Sequence, residues 1–274
     1  MKNKTMSAAF AALCFTAFGF VLLSLSIGIL GIGGTDIADS GRLTAAVKID
    51  SKTSSSEEAS ASSEEKIPLL SSPPLILIDA GHGGEDGGAS SVGGVLEKDL
   101  NLSVSRNIAS LCLIFGIPYE MTRDEDTLLY DRYGELESYE GRKKSLDLKN
   151  RLRIAEELDT VLFLSIHMNK FPSEGVKGFQ VYYSNNSPDS GPLAESVQSF
   201  VKSHVQPYNE RVPKAADSSI YLLKNINTTA ILTECGFLSN VVEANSLSSP
   251  SYQLKLAASI FVPSAEYFVR CNVN

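Results

Sequence analysis

Only three histidines occur in the 274 residues, and two of them share a context. His82 follows the apolar run Leu75-Ile76-Leu77-Ile78 and the turn Asp79-Ala80-Gly81, and His167 follows Val161-Leu162-Phe163-Leu164-Ser165-Ile166. Short apolar runs rich in β-branched and aromatic residues predict buried strands, which belong mostly to parallel sheets covered on both faces. Ligands of such sheets bind beyond the carboxyl ends of the strands. Glu234 follows a third run, Ala230-Ile231-Leu232-Thr233, and Glu97 opens a helical segment after the loop Gly83-Gly84-Glu85-Asp86-Gly87-Gly88. Two imidazoles and one carboxylate make a zinc set with a fourth tetrahedral position open for water. A second carboxylate can take that water's proton.

Each of these residues also has a plainer reading. A single strand-end histidine is more often structural than a ligand; it is the matched pair that points to a metal. Glu97 alone would serve as an acidic residue at a helix start, and Glu85 and Asp86 compete with it for the carboxylate position. Asp79 and Asp86 are expected to hold the loop or the ligands. Cys235 adjoins Glu234 and so points to the opposite face of the strand, where it packs. His204 lies on a polar helix and is read as a surface residue, and Asn169 and Arg151 as scaffold.

The elements that must position these groups alternate along the chain. Apolar residues at Leu100, Val104, Ile108, Leu111 and Phe115 predict a helix over 97–115, which Gly116 can end. A strand over 117–122, weakened by Pro118, is followed by a charged loop and a helix over 142–158. The strand carrying His167 comes next. Strands are expected at 179–183 and 220–223, separated by a helix over 193–204. A strand over 230–233 leads into Glu234, and a helix over 252–269, kinked at Pro263, closes the domain. This alternation predicts one α/β domain, a mostly parallel or mixed twisted sheet with helices on both faces.

Composition divides the chain. Lys2 and Lys4 precede an uncharged apolar stretch over 5–35, longer than the roughly 20 residues that cross a bilayer. Residues 1–35 are therefore expected to form a signal peptide or membrane anchor. Retention is favoured over cleavage near Gly33, and the bulk of the chain is expected outside the cytoplasm. Residues 36–74 carry Ser/Glu runs without large apolar side chains and are expected to be a flexible tether. Residues 75–270 remain for the catalytic domain. A net charge of −8 without a basic stripe argues against nucleic acid as a partner. The four cysteines, Cys14, Cys112, Cys235 and Cys271, form no CxxC pair, so neither a disulfide framework nor a thiolate zinc site is expected. Serine-hydrolase and P-loop patterns are absent.

Taken in order, the segments Ile78-Asp79-Ala80-Gly81-His82-Gly83-Gly84-Glu85-Asp86-Gly87-Gly88-Ala89, Leu96-Glu97-Lys98-Asp99, Met121-Thr122-Arg123, Ser165-Ile166-His167-Met168-Asn169 and Leu232-Thr233-Glu234-Cys235-Gly236-Phe237-Leu238-Ser239-Asn240 resemble the zinc-dependent N-acetylmuramoyl-L-alanine amidases of bacterial cell walls. Ala80 departs from the proline common there, which touches loop stiffness rather than chemistry. The resemblance implies that His82, Glu97 and His167 ligate one zinc ion and that Glu234 is the catalytic carboxylate. It implies peptidoglycan as substrate, cut between N-acetylmuramic acid and the L-alanine of the stem peptide. A single anchored amidase domain further resembles the enzymes of spore-cortex maturation. A zinc peptidase cutting within the stem, and a non-catalytic wall-binding or regulatory module, are the alternatives. The loop over 124–141 is the least typical part. It reads equally as a solvated insert and as a groove lip or docking site for a regulatory protein, since Leu128, Leu129, Tyr130 and Tyr133 are apolar for a loop.

Overall fold

The computed structural model describes residues 73–138 and 142–272. The expected anchor, and the expected tether up to residue 72, lie outside these residues. No described helix is long and apolar enough to cross a membrane.

Six strands form one mixed sheet: β1 (Leu75–Ala80), β2 (Tyr119–Met121), β3 (Thr160–Asn169), β4 (Gln180–Tyr183), β5 (Lys214–Ala215) and β6 (Thr229–Phe237). Their order is β2-β1-β3-β6-β4-β5. The first four in that order run parallel, β4 is antiparallel to β6, and β5 is parallel to β4. The helices are α1 (Glu97–Phe115), α2 (Lys143–Glu157), α3 (Ser190–His204), α4 (Tyr221–Asn225), α5 (Val241–Leu247) and α6 (Pro250–Asn272).

Alternation along the strands builds two cores, because successive side chains point to opposite faces. Ile76 and Ile78 of β1, Leu162, Leu164 and Ile166 of β3, and Ile231 and Cys235 of β6 pack with the buried stripes of α1, α3 and α6. Leu75 and Leu77, Phe163, and Ala230 and Leu232 pack on the other face against Ile154 of α2 and Leu222 and Leu223 of α4. A fully buried Phe163 contributes about 1.5–3 kcal/mol. The expected α/β domain with helices on both faces is therefore present. The same alternation places Asp79, His167 and Glu234 on the α2 face, where Leu77, Phe163 and Leu232 precede them.

Most expected elements lie within a few residues of their observed bounds, and α1 ends at Gly116 in a left-handed conformation. The segment 220–223 is a correction. It belongs to the short helix α4, not to a strand, and Leu222 and Leu223 bury side by side in the α2-face core. A four-residue apolar run carries no period that separates the two. β5, α5 and a 3₁₀ turn at Leu136–Ser138 carry no expectation from the sequence. α6 continues through Pro263 as one helix. The loop after β2 is less solvated than its charge suggests, because Leu129 is buried in the α2-face core with Tyr133 packed beside it. The Leu129 N–H donates to Asp147 of α2 at 2.7 Å.

Candidate active site

Three parallel strands bring their carboxyl ends together in the order β1, β3, β6. His167 and Glu234 are Cα partners on the β3–β6 ladder, and both strands continue for two or three residues beyond them. These two residues thus lie within strands, one ladder step apart, rather than past the strand ends. His82 lies in the turn after β1, held at φ 60°, the one non-glycine position with left-handed backbone among the described residues. Such a conformation is uncommon outside glycine and persists where its surroundings enforce it.

Those surroundings are an ionic core on the α2 face. Arg151 Nη1 donates to Asp79 Oδ1 at 2.6 Å and to the Ala80 carbonyl at 2.8 Å. Its Nη2 reaches the His82 carbonyl at 2.8 Å, and its Nε pairs with Asp147 at 2.7 Å. Asp79 also accepts from Thr122 and Ser165. Burial would raise the pKa of Asp79, but Arg151 and Ser165 outweigh it and hold the carboxyl below its ordinary value. Arg123 closes the rear of the turn by donating to the carbonyls of Ala80, Gly81 and Lys98. Asp79 and Arg151 are thus scaffold groups, as their sequence context suggests.

Glu97 comes from the first turn of α1, which packs on the other face, and converges on both imidazoles. Its Oε1 lies 3.2 Å from His82 Nε2 and 3.0 Å from His167 Nδ1. One ligand atom from each of the three residues falls within 4.8 Å of the others. Donors around a tetrahedral ion with bonds of about 2.1 Å lie roughly 3.4 Å apart, so this two-nitrogen, one-oxygen set fits a single zinc ion. Burial alone would raise the Glu97 pKa, yet the two histidines bring it well below the carboxylate range. The Met168 N–H and Asn101 Nδ2 donate to the same Oε1, and the Ala89 N–H donates to Oε2 at 2.7 Å.

Of the rival acids, Asp86 binds the far side of a histidine, with Oδ2 2.8 Å from His82 Nδ1 and 3.0 Å from Lys144 Nζ. Glu85 is exposed and pairs with Lys143. Glycine is required at two contacts. A methyl group at Gly81 would lie 2.2 Å from Cε1 and Nε2 of His167. One at Gly88, which has φ +66°, would meet Glu97 Oε2 at 2.6 Å and His82 Cδ2 at 2.7 Å.

Glu234 stands apart from the three ligand candidates. The side chain is half-buried, and its Oε2, shielded from solvent, has no hydrogen-bond partner among the described residues. Burial pushes its pKa up to about 7, with His167 opposing the rise and Glu97 adding to it. A carboxyl poised there can exchange protons near neutral pH. Neighbouring Cys235 is fully buried on the other face, and burial pushes its thiol up to about 12, which leaves it a packing residue. His204 is exposed and stacks on Phe200. Asn169 accepts the Lys170 N–H.

Glu243 and Arg211 carry structure around the site without any signal in the sequence. Glu243 of α5 is buried and accepts the N–H groups of Gly178 and Phe237. It thereby joins the segment entering β4 to the end of β6. On β4, Gln180 is the antiparallel partner of Glu234 and is itself hydrogen-bonded to Arg211. Only a contact 31 residues away reveals that role.

Comparison with known proteins agrees with this geometry. The family model described as N-acetylmuramoyl-L-alanine amidase matches residues 76–262. The germination-specific N-acetylmuramoyl-L-alanine amidase of Bacillus subtilis is 34% identical over 192 residues, covering 70% of this chain and 78% of that one. The CwlD amidase from Clostridioides difficile, solved in complex with the GerS lipoprotein, superposes with a TM-score of 0.65 at 36% identity, covering 70% of this chain and 97% of that one. The amidase AmiC2 of Nostoc punctiforme gives 0.59 at 30% identity, over 72% of this chain and 98% of that one. With the convergent site residues and the relatives in agreement, the chain belongs to the N-acetylmuramoyl-L-alanine amidase family.

Proposed function

We propose that the chain is a zinc-dependent amidase that hydrolyses the bond between N-acetylmuramic acid and the L-alanine of the peptidoglycan stem peptide. The observation that carries this reading is Glu234: a half-buried carboxylate with one sequestered, unpartnered oxygen, one ladder step from a histidine of a convergent His-Glu-His set. His82, Glu97 and His167 would hold one zinc ion. A bound zinc ion supplies a Lewis acid that lowers the pKa of water toward about 7 and polarises the scissile carbonyl.

The proton work falls to Glu234. As the carboxylate, it accepts a proton from the attacking water as oxygen bonds to the lactyl carbon. Burial favours its neutral form, so the proton stays on the carboxyl until the C–N bond breaks. It then passes to the departing alanine nitrogen, and Glu234 returns to its starting state. Asp86 orients the His82 ring from behind, and Arg151 holds that residue's main chain.

The catalytic domain spans 75–270 in this reading, with 36–74 as tether and 1–35 as anchor or signal, placing the site outside the cytoplasm. The germination-specific relative and the CwlD neighbour support a role in spore peptidoglycan. The GerS complex of that neighbour supports a regulatory protein partner here. Incubation with muropeptides, with and without zinc, followed by mass spectrometry tests the reading. Free muramic acid with a new alanine amino terminus is expected only with metal. New termini deeper in the stem would make the chain a peptidase, and intact muropeptides with zinc bound would make it a binding module.

A further inference from the structure

The geometry points to Arg211 as a specificity residue that binds the carboxylate of the acidic residue following alanine in the stem peptide. The inference rests on the amidase reading and names what that site selects. Gln180 and Glu234 are directly opposed on the antiparallel β4–β6 ladder, so their side chains share a face and start about 4.5–5.5 Å apart. Gln180 is 1% exposed, and its Oε1 accepts Arg211 Nη1 at 3.3 Å. The guanidinium is thus one buried side chain away from the proton-transfer carboxylate. A peptide advances at most about 3.3–3.6 Å per residue, so an acid one residue past the scissile nitrogen falls within the same reach.

The arginine is held in place without being neutralised. Nε donates to the Lys177 carbonyl at 2.8 Å, and the guanidinium lies 4.7 Å from the Phe237 ring centroid. The Gln180 side chain is fixed in turn by donating Nε2 to the Val212 carbonyl. Among the described residues no carboxylate pairs with Arg211, and its Nη2 makes no hydrogen bond. Nearby Glu210 is turned instead to Lys202. A half-buried guanidinium held by neutral groups, with a nitrogen to spare, is a site for an anion.

The surface continues outward from there. A cleft of about 430 Å³ runs between 175–178 and 208–211, with Arg211 in its wall. Lys177 adds a second cation, seated 5.0 Å from the Tyr208 ring centroid. Tyr182 lies two residues from Gln180 on the same face of β4, and burial, with Glu234 nearby, raises the pKa of its phenol while Arg211 opposes the rise.

The test uses the full chain and two dipeptides that it cannot cleave, L-alanyl-D-isoglutamate with a free α-carboxylate and L-alanyl-D-isoglutamine with an amide there. Calorimetry should show the acid bound about tenfold or more tighter than the amide, as a charge-assisted pair requires. Arg211→Gln should remove that difference, and Arg211→Lys should restore part of it. Equal affinity for the two dipeptides in the wild type, or discrimination that survives Arg211→Gln, overturns the proposal. Parallel hydrolysis of muropeptides separates the two readings. A chain that discriminates the dipeptides but releases no peptide keeps the anion site and loses the amidase assignment. A chain that cleaves acid and amide muropeptides with equal kcat/KM keeps the amidase assignment and loses the role of Arg211.

Discussion

Arg151 donates to the main-chain carbonyl of His82 at 2.8 Å, so a guanidinium 69 residues away in sequence holds the backbone of a metal-ligand candidate. The same side chain makes ion pairs with both Asp79 and Asp147. Arg151→Met is expected to cost about 3–5 kcal/mol of stability, because it strands buried carboxylates. Zinc affinity of the folded fraction should fall as well, since the left-handed turn loses its tie. Urea unfolding with zinc titration measures both; unchanged zinc binding would show that the turn holds itself.

Asp79 links stability to pH. It binds its proton more weakly folded than unfolded, so the unfolded chain takes up the extra proton as pH falls. The stabilisation is present above an unfolded carboxyl value of about 3.9 and is lost as pH drops through the lower folded value. Urea midpoints measured downward from pH 6 should fall most steeply below about pH 4. Asp79→Asn should lower the midpoint throughout and flatten that acid limb. An equally steep limb in the variant would assign the acid sensitivity elsewhere.

Asp86 acts on zinc through His82. Removing a carboxylate behind a ligating imidazole typically weakens metal binding by about 10–100-fold. Asp86→Asn should show that loss in competition with a chelator, with the thermal unfolding of the metal-free chain nearly unchanged, because Asp86 is partly exposed.

Gly81→Ala tests how tightly the imidazoles are nested. The added methyl would lie 2.2 Å from the His167 ring, so the ring must move. Expected are weaker zinc binding and a drop in hydrolysis of about 10²-fold, with circular dichroism unaltered. Wild-type turnover in this variant would disprove the close approach.

Glu234→Gln keeps the shape of the proposed base and removes its proton chemistry. Zinc content should stay at one ion per chain while hydrolysis falls by about 10²–10⁴-fold. Full activity would reject the mechanism.

Much of this site was legible because strand alternation and local motif both point to it. Leu77 to Asp79, Phe163 to His167 and Leu232 to Glu234 share one parity, so one face collects the functional groups once the strands are parallel. The helix of Glu97 was legible to the residue, since Leu100, Val104 and Ile108 carry a full 3.6 period. The failures have the opposite cause. Tyr221-Leu222-Leu223 is too short to display any period, and tertiary burial made it helical. Glu243 and Arg211 act through main-chain groups or partners on distant segments, which no local pattern encodes. β5 is two residues long and exposed.

The reversal of β4 divides the duties of the chain between two sets of loops. The residues that would grip the ion follow β1, lie on β3, or open α1. The cleft that holds Arg211 is instead built where the chain enters β4, at 175–178, and from 208–211, because an antiparallel strand begins where its parallel neighbours end. On the role proposed for Arg211, lengthening or recharging those two stretches would retune which stem peptides are accepted while leaving His82, Glu97 and His167 where they stand. If Arg211 selects the peptide as proposed, substrate choice and ion binding can drift independently in this architecture, meeting at the rung where Gln180 faces Glu234 and at the Glu243 tie between Gly178 and Phe237.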